Sequence, residues 1–376
     1  MNSENNGPIR VAHIIGKLNA AGVESVVNSY YKNIDRTKYQ FDYFIDSDSS
    51  FAPPQELKDL GARYFVIPPY QNLFSHVKTL IHLFRQNKYL IVHSGMNTLA
   101  PISMFSAWVA GVPVRINHNH STAGKGEFKR NCLKYLLRPF AKCFATKYCA
   151  CGNYAAKWLF GKKTFDIGKI TVFKNAIDLT KFKFDENTRN RVRHQLKVEN
   201  KLVVGHIGRF CKQKNHEFLI KVFEKLHATK QDSVLVLVGV GELEEEIKSL
   251  VHKKKLDDCV EFLGKRNDCN ELYQAMDVFV LPSNYEGLGI VGIEAQSVGI
   301  PCLFSENVPE ETKISPNVKY LSLEESTDKW AKEAIELSKL GLARDNSYAA
   351  DHGYDIKKEA GKLVEFYENC LKDVKK

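Results

Sequence analysis

The chain has 376 residues, 44% of them hydrophobic and 26% charged, and it carries a formal net charge of +10 at pH 7. This length is long for one hydrophobic core and suits two domains, and the composition is that of a soluble globular protein rather than a disordered chain. The polar start of the sequence is unlike a secretory signal. The longest apolar run, 99–114, is too short to cross a bilayer and contains two prolines.

Cysteine usage indicates a reducing compartment. The nine cysteines are odd in number, and no two of them form a C-x-x-C pair. Cys149 and Cys151 are too close together for a useful disulfide bridge. The pattern therefore predicts reduced thiols, a cytoplasmic protein and no zinc site.

Short apolar strands alternate with helical segments along the first half of the chain. The first strand, 9–16, is followed by a glycine-containing turn and a helix from about Val23 to Asn33. Five further strands are predicted at 41–46, 63–68, 89–95, 112–117 and 146–152. This alternation predicts a parallel sheet with right-handed crossovers.

The alternation stops at a charged segment, 182–201, and then starts again. The strands predicted after this segment are 202–210, 233–239, 259–264, 278–283 and 300–305. We therefore predict an α/β fold of two doubly wound Rossmann-like domains facing across a cleft, residues 1–180 and 181–354. A last helix lies at 355–376, and packing against the first domain is one option for it. Ligands of such sheets bind beyond the carboxyl ends of the strands, so functional residues are expected there.

Two basic residues follow the first strand of the second domain. Arg209 and Lys214 come after Gly208, at a spacing that lets a guanidinium and an ammonium group reach one diphosphate. Exposed basic residues at the start of a helix would give the same pattern. The next strand ends at Gly239, where the backbone could approach a ligand, although the acids from Glu242 onwards also suit the helix dipole.

The segment 284–301 carries two carboxylates eight residues apart, Glu286 and Glu294. A helix beginning near Leu288 would place residues at this spacing on roughly one face, so both acids could line the same wall. Capping or the helix dipole accounts for Glu286, but Glu294 is followed by an apolar run in which an unpaired carboxylate is costly. Glu294 therefore needs a partner, and a ligand hydroxyl group is a candidate.

Three segments together, PSNYEGLGIVGIEA, GRFCKQKN and NAIDLTKF, resemble the retaining GT-B glycosyltransferases of family 4. The resemblance is strongest to bacterial enzymes that build exopolysaccharide or capsule, and it extends over essentially the whole chain. It implies a nucleotide-diphosphate sugar as donor, most often a UDP-sugar, and catalysis with no bound metal ion or other cofactor.

The resemblance implies a role for each matching position. Arg209 and Lys214 would bind the donor diphosphate and stabilise its charge as it leaves. Glu286 would contact the hydroxyl groups of the donor sugar, and Glu294 would hold the nucleotide ribose. The other positions matching donor-binding segments, where the backbone would approach phosphates, sugar or base, are Gly208, Gly239, Lys265, Arg266, Gly287, Leu288 and Gly289.

In the first domain the match to the family is looser. The glycine-rich loop after the first strand reads GKLNAAGVES, in which Ala21 replaces one of two adjacent glycines and leaves Gly22 and Glu24. The resemblance also implies a histidine near the donor sugar, just after the fifth predicted strand. His118 and His120 are both candidates, and we favour His120 because it lies further into the loop. A structural histidine is the alternative for either residue.

Positive charge is concentrated in the first domain. Residues 1–180 hold 23 Lys and Arg against 11 Asp and Glu, and 60–165 hold fifteen basic residues and one acid, Glu127. Such a field attracts an anionic partner. Within it, 125–147 places cations at intervals near four beside apolar residues, which predicts an interfacial helix on an anionic membrane. A solvated helix face in a basic protein is the alternative.

We predict a retaining glycosyltransferase that moves a hexose or N-acetylhexosamine from a UDP-sugar to a saccharide acceptor, such as a lipid-linked intermediate of surface polysaccharide. It would act in the cytoplasm or at the inner face of the cell membrane and would not bind nucleic acid. A GT-B epimerase of nucleotide sugars shares the expected architecture and donor pocket. An NAD-dependent dehydrogenase is a weaker alternative: Asp46 closes the second strand as such an enzyme requires, but the G-x-G-x-x-G sequence is missing. A membrane or nucleic-acid adaptor would not require Arg209, Lys214, Glu286 and Glu294 together.

Overall fold

The computed structural model describes residues 7–18, 23–122, 128–341 and 347–375. The chain divides into two compact units. The first unit is Met1–Ile177 together with Gly353–Lys376, and the second unit is Asp178–His352. The chain thus passes between the units a few residues before the boundaries predicted at 180 and 354, and the helix at its carboxyl end belongs to the first unit.

Within the described residues, the first unit contains a parallel sheet of seven strands. Its strands are β1 (Ile9–Gly16), β2 (Tyr39–Asp46), β3 (Arg63–Ile67), β4 (Ile91–Ser94), β5 (Val114–Asn119), β6 (Lys147–Ala150) and β7 (Ile170–Val172). Their order in the sheet is β3-β2-β1-β4-β5-β6-β7, so the direction of winding reverses between β1 and β4. The sequence did not predict β7, because three residues are too few to show a pattern.

Helices connect these strands. They are α1 (Val23–Asn33), α2 (Gln55–Asp59), α3 (Leu73–Gln86), α4 (Ala100–Val109), α5 (Phe128–Leu137), α6 (Asn153–Phe160) and α7 (Lys162–Asp166). Because each helix follows a parallel strand, α3 and α4 both begin at the carboxyl edge of the sheet.

The basic segment 125–147 does not form one helix. α5 ends at Leu137, and a short 3₁₀ helix, Arg138–Phe140, follows it. Pro139 explains this end, because proline has no N–H group to donate and its ring disfavours a helical residue before it. The prediction of one cationic helical stripe is therefore wrong, and its first residues, 125–127, lie outside the described ranges.

Two cations of this segment bind groups of the protein itself. The Lys134 Nζ atom donates to the carbonyl oxygen of Thr122 at 2.8 Å. Lys147 forms an ion pair with Asp373, in which the Nζ and Oδ2 atoms are 2.8 Å apart. Both ammonium groups therefore bind other residues of the first unit, instead of lying in one row along the outer face of a helix.

The second unit contains a parallel sheet of six strands in the described part of the chain. Its strands are β8 (Leu202–Ile207), β9 (Ser233–Val238), β10 (Val260–Phe262), β11 (Val278–Leu281), β12 (Cys302–Ser305) and β13 (Val318–Leu321). Their order is β10-β9-β8-β11-β12-β13, which reverses between β8 and β11. All six residues of β9 are buried, as expected for a strand whose sheet is covered on both faces. The short strand β13 was not predicted.

The helices of the second unit are α8 (Glu186–Gln195), α9 (His216–Thr229), α10 (Glu244–Lys253), α11 (Cys269–Ala275), α12 (Ile290–Val298), α13 (Thr327–Ser338) and α14 (Ser347–Asp351). Both units thus have the doubly wound strand order of Rossmann-like domains. The predicted pair of α/β domains is confirmed.

The last helix, α15 (Ile356–Lys375), packs on the sheet of the first unit. Its buried side chains recur every three or four residues, which forms one apolar stripe. They are Ile356, Ala360, Leu363, Tyr367 and Cys370. None of the helices in the described ranges combines the length and the apolar character of a transmembrane span.

Candidate active site

The candidate site of the second unit lies where the winding of its sheet reverses. β8 and β11 are neighbours in the sheet, and the loops that leave their carboxyl ends lead to α9 and α12. In open α/β sheets the loops on either side of such a reversal diverge and leave a crevice for a ligand. The predicted residues Arg209, Lys214 and Glu286 all lie on these two loops.

Lys214 and Glu286 form a largely buried ion pair. The Nζ and Oε1 atoms are 2.6 Å apart, and the side chains are 14% and 5% exposed. The Ser283 hydroxyl group donates to the same Oε1 atom at 2.7 Å. The Gln213 amide donates to Oε2 at 3.1 Å. Both oxygens of the carboxylate are therefore held in place, and the charge has a nearby counter-ion.

The backbones of the two loops are also joined. The Asn284 amide N–H donates to the carbonyl oxygen of Gln213 at 2.8 Å. The Asn284 side chain donates to the carbonyl oxygen of Lys212 at 2.6 Å. These bonds fix the relative positions of the loops, so the ion pair is a property of the fold rather than a chance surface contact.

The α12 helix begins at Ile290, later than the predicted start near Leu288. Gly289 precedes it with a left-handed backbone (φ +72°), a conformation that glycine adopts without steric cost. The hydroxyl group of Thr312 donates to the Leu288 carbonyl oxygen and holds this turn. The segment 287–289 thus lies at the start of a helix at the carboxyl edge of the sheet, where backbone N–H groups favour an anion.

Glu294 has a partner in the protein that the sequence analysis did not identify. The Tyr273 hydroxyl group, from α11, donates to the Glu294 Oε2 atom at 2.9 Å. Burial raises the pKa of Glu294 to about 7, against the opposing effects of the Tyr273 hydrogen bond and the Lys214 charge. Glu286 lies in the turn before α12, as predicted, and Glu294 lies within the helix. The Lys214 ammonium pairs with Glu286 and also acts on the charge of Glu294, and the expectation that the two acids line one wall stays a prediction.

Arg209 is placed differently from Lys214. Its side chain is 71% exposed, and its Nη2 atom lies 3.0 Å from the Oε2 atom of Glu242, which is also exposed. An exposed pair of this kind is weak and exchanges readily with solvent. The structure therefore does not bring Arg209 into the buried cluster of Lys214 and Glu286, and leaves it on the open part of the loop.

The predicted glycines after β8 and β9 are needed for contact between the two loops. A Cβ atom on Gly239 would lie 2.1 Å from the Gly208 carbonyl oxygen, and Gly239 also has φ +140°. A Cβ atom on Gly208 would lie 3.0 Å from His206 and 3.1 Å from the Lys214 side chain. Close approach of the two backbones accounts for Gly239 without a ligand, and the nearby side chains of His206 and Lys214 account for Gly208.

The predicted base-reading segment follows β10. The Gly239 N–H group donates to the Gly264 carbonyl oxygen at 2.9 Å, which joins this segment to the loop after β9. The Arg266 guanidinium binds Asp268 through two hydrogen bonds, of 2.8 and 2.5 Å. The side chains of Lys265 and Arg266 are exposed. This edge therefore presents backbone groups, rather than buried side chains, to a ligand.

The first unit carries a buried chain of hydrogen-bonded rings at the carboxyl ends of β1, β4 and β5. The Tyr367 hydroxyl group lies 3.2 Å from the Nε2 atom of His13 and 2.7 Å from the Nδ1 atom of His93. The Nε2 atom of His93 lies 3.0 Å from the Nδ1 atom of His118. Both nitrogens of His93 therefore have partners.

His120 is the outermost member of this group. Its ring stacks on that of His118 with centroids 4.0 Å apart, and its backbone N–H donates to the Asn97 side chain at 2.6 Å. Burial lowers the pKa of His93 to about 3 and that of His120 to about 4. Burial also holds the pKa of His118 well below its usual value, so these rings are neutral at physiological pH.

A family model described as Glycosyl transferases group 1 matches residues 187–351. The protein of Bacillus subtilis (strain 168) that is named "Putative glycosyltransferase EpsF" is 31% identical over 373 residues, covering 96% of this chain and 97% of EpsF. This chain belongs to the group 1 glycosyltransferases.

Two further proteins extend the comparison. The UDP-Gal:alpha-D-GlcNAc-diphosphoundecaprenol alpha-1,3-galactosyltransferase of Escherichia coli is 30% identical over 310 residues, 79% of each chain. The crystal structure of HepE from Anabaena, in complex with UDP, matches with a TM-score of 0.78 and 19% identity, covering 96% of this chain and all of HepE. The latter similarity shows a shared GT-B fold.

Membership of the group 1 glycosyltransferases bears on two of the alternatives that the sequence left open. It supports an enzyme that transfers sugars over a dehydrogenase or an adaptor. The matched range, 187–351, contains Arg209, Lys214, Glu286 and Glu294. The roles given to these four residues stay predictions, as does retention of configuration at the sugar.

Several residues of the two clusters were missed by the sequence analysis. In the second unit they are Gln213, Ser283 and Tyr273. In the first unit they are His13, His93 and Tyr367. The usable signal was that His13 and His93 lie near the ends of predicted strands.

Gly22 and Ala21 lie outside the described residues, so the predicted glycine-rich contact has no structural description. Among the described residues, no group of three His, Cys, Asp or Glu side chains is placed to hold a metal ion.

Proposed function

We propose that this glycosyltransferase moves a hexose or N-acetylhexosamine from a UDP-sugar to a lipid-linked saccharide, with retention of configuration and without a resident metal ion. The observation that carries the proposal is the buried Lys214–Glu286 pair at the reversal of the second sheet. A buried ion pair is costly to maintain for stability alone, and this one lies where open α/β sheets bind ligands.

Lys214 would stabilise the departing diphosphate. An ammonium group has three N–H donors, so Lys214 can keep Glu286 and still bind a phosphate oxygen. Negative charge grows on the diphosphate as the glycosidic bond breaks, and a fixed cation lowers the energy of that state more than that of the bound donor. Arg209, on the exposed part of the same loop, can leave Glu242 at small cost and close over the second phosphate.

The start of α12 would receive the same diphosphate. The backbone N–H groups of the first helical turn have no partner within the helix, and they favour an anion together with the helix dipole. The left-handed Gly289 and the contact between Thr312 and Leu288 hold this turn in place. Electrostatic stabilisation would then come from Lys214, Arg209 and backbone amides in place of a divalent ion.

Glu286 and Glu294 would bind the two sugar rings of the donor. Glu286 is held by Lys214, Ser283 and Gln213, so its orientation toward sugar hydroxyl groups is fixed before the donor binds. Glu294, with a pKa raised by burial to about 7, can both accept and donate hydrogen bonds to a ribose diol. Tyr273 positions it from α11.

Retention would follow from attack on the same face as the leaving group. The acceptor hydroxyl oxygen bonds to the anomeric carbon as the bond to the diphosphate breaks, and the hydroxyl proton passes to the departing phosphate oxygen. The Glu286 carboxylate is neutralised by Lys214 and hydrogen-bonded at both oxygens, which makes it a weak nucleophile. A covalent glycosyl-enzyme is therefore not invoked.

The UDP-sugar and the lipid-linked acceptor are proposed from the relatives. The crystal structure of HepE contains UDP, and the name of the Escherichia coli relative gives a UDP-galactose donor and a diphosphoundecaprenol-linked acceptor. Such an acceptor would bring this chain to the inner face of the membrane, and the basic first unit is electrostatically suited to an anionic surface.

A donor screen tests the proposal. We expect one or a few UDP-sugars to release UDP when incubated with the protein, in the presence of EDTA as in its absence. NMR spectroscopy of the product formed with a saccharide acceptor should show the anomeric configuration of the donor. Inverted product, complete loss of activity in EDTA, or formation of an epimerised free nucleotide sugar would each contradict a part of it.

A further inference from the structure

An apolar groove runs along the outer surface of the first unit, and the glycosyl-transfer site does not account for it. It lies between α3, α4 and the segment 137–144, and its volume is about 700 Å³. This is within the range of pockets that enclose a ligand of several hundred daltons. Its lining is apolar except for Lys78 and Cys143, and includes Phe74, Val77, Ile102, Phe105, Phe140 and Phe144. We call it the α3–α4 groove.

Large aromatic side chains stand exposed around the α3–α4 groove. Phe74 is 92% exposed, Phe140 54% and Trp108 53%. The rings of Phe105, Trp108 and Phe144 pack against one another, with centroids 5.3 to 6.0 Å apart. A soluble monomer rarely exposes a contiguous apolar surface of this extent unless something binds there.

The charge around the groove restricts what could bind. The sequence between Asp59 and Asp166 contains one acid, Glu127, and no Asp or Glu occurs in α3, α4 or the segment 137–144. Lys78 lines the groove itself. Arg85 joins its two walls, because its Nη2 atom donates to the Val109 carbonyl oxygen at 2.9 Å. An apolar ligand with an anionic end would match both the surface and the field.

One end of the groove opens at the carboxyl edge of the first sheet. α3 and α4 begin at that edge, and Leu73 and Pro101, in their first turns, line the groove. α4 begins shortly after Asn97, which holds the backbone of His120. A ligand whose chain lies in the groove would therefore present its polar end at the edge where the histidine cluster lies.

We propose that the α3–α4 groove binds the hydrocarbon chain of an isoprenoid diphosphate, the lipid part of a lipid-linked acceptor. The chain lies along Phe74, Ile102 and Phe140, and the diphosphate lies toward the carboxyl edge of the sheet. The inference rests on the lipid-linked acceptor in the proposed function, and it adds the site at which the lipid is bound. A lipid surface is the other occupant that this chemistry would suit, and the test below separates the two.

Binding of a dansyl-labelled farnesyl diphosphate, followed by fluorescence anisotropy, tests the groove without reference to catalysis. We expect Phe74→Ser to weaken binding about tenfold, because it removes one large apolar contact. Leu340→Ser, which changes an exposed apolar residue of the second unit, is the matched control and should bind as the wild type does. Ile102→Trp fills the groove instead of emptying it, and Val66→Trp adds the same ring at an exposed strand position outside the lining.

The outcomes separate the possible sources of the signal. Inorganic diphosphate should compete poorly; if it displaces the label as well as unlabelled farnesyl diphosphate does, the chain is not recognised and the proposal is overturned. Equal affinity of Phe74→Ser and Leu340→Ser would also overturn it. A third outcome is that neither the wild type nor any variant binds the labelled farnesyl diphosphate, while Phe74→Ser loses binding to phosphatidylglycerol vesicles. In that case the surface is a membrane contact and the groove holds no acceptor.

Kinetics provide the second readout. Two acceptors with the same saccharide diphosphate, one on a long isoprenoid and one on a short alkyl chain, are compared at saturating donor. Phe74→Ser and Ile102→Trp should raise KM about tenfold for the long chain and leave KM for the short chain unchanged. Absence of any UDP-sugar hydrolysis by the wild type would contradict the proposed function, whereas the anisotropy result would stand independently.

Discussion

Each unit gathers titratable side chains at the carboxyl edge of its sheet, but the two clusters have opposite electrostatic character. In the second unit, Glu286 is charged, and Lys214, Ser283 and Gln213 satisfy its oxygens. In the first unit, the rings of His13, His93, His118 and His120 are buried together with Tyr367, and burial lowers the pKa of all four imidazoles. One cluster keeps a charge in place, and the other excludes charge.

This difference indicates how each cluster responds to perturbation. A buried ion pair depends on both partners, since the loss of one leaves the other uncompensated. A neutral chain of hydrogen bonds depends instead on the direction in which each proton points, because an imidazole has one donor and one acceptor nitrogen. If Tyr367 donates to His13, it accepts from His93, and His93 then accepts from His118. The clusters should therefore differ in their dependence on charge, on pH and on single hydroxyl groups.

The largest effect is expected from Lys214→Ala. It leaves Glu286 buried without a counter-ion, so the free energy of unfolding should fall by about 3–5 kcal/mol. Turnover of the donor should fall by roughly 10²–10³-fold, because a fixed cation beside the leaving group is lost. Urea unfolding and the rate of UDP release measure the two effects, with Lys212→Ala, an exposed lysine of the same loop, as the control.

The double variant Lys214→Ala, Glu286→Ala separates stability from catalysis. Removing both charges should recover most of the stability lost in the single variant, since no buried charge stays unpaired. Activity should stay low. Recovery of activity in the double variant would mean that Lys214 serves only to neutralise Glu286.

A smaller effect, opposite in sign between the units, is expected from pH. The pKa of Glu294 is raised in the folded state to about 7, so the folded protein binds this proton more tightly than the unfolded chain does. Its contribution to stability is therefore greatest below the unfolded pKa and is lost as the pH rises to about 7. The loss should amount to about 2–3 kcal/mol. The histidine pKa values are lowered, so their contribution is present above the unfolded value and is lost as the pH falls.

Hydrogen exchange measured separately for peptides of each unit tests this contrast between pH 5 and 7.5. Lowering the pH should strengthen protection around α12 and weaken it around β4 and β5. Glu294→Gln should abolish the change around α12 and leave the first unit unaffected. If Glu294→Gln follows the wild-type pH profile around α12, Glu294 does not titrate in this range.

The sequence could predict the features of these clusters that depend on neighbouring residues, but not the contacts between residues that are far apart in the chain. The alternation of strands and helices is local, so the sequence predicted both sheets and missed only β7 and β13, the strands with too few residues or too weak a pattern. Arg209 was found because it lies at the end of a predicted strand, and Lys214 and Glu286 because they follow predicted strands within a few residues. Tyr367 could not be found, because it binds His93 across 274 positions of sequence. Tyr273 was missed for a similar reason, since it reaches Glu294 from a separate helix.

Tyr367→Phe should have a moderate effect confined to the first unit. The substitution keeps the ring in the core but removes the hydroxyl group that joins His13 and His93. Leaving buried nitrogens without a partner should lower the free energy of unfolding by about 1–3 kcal/mol. Tyr39→Phe changes a ring that packs against Tyr367, with centroids 5.4 Å apart, but lies outside the hydrogen-bonded chain. Equal loss of stability in both variants would show that the rings, rather than the bonds, maintain the cluster.

Arg209→Ala should have the smallest effect on stability. Its effect on turnover should therefore be the easiest to distinguish from an effect on folding. Its side chain is exposed and its contact with Glu242 is weak, so the melting temperature should change little. Turnover of the donor should nevertheless fall, by at least tenfold if Arg209 binds the departing diphosphate as proposed. Glu242→Ala is the matched control, because it removes the same ion pair and keeps the guanidinium. Loss of turnover in Arg209→Ala but not in Glu242→Ala would assign the effect to the phosphate contact. Normal turnover in both variants would contradict that role, and Lys214 and the amides at the start of α12 would then stabilise the leaving group without Arg209.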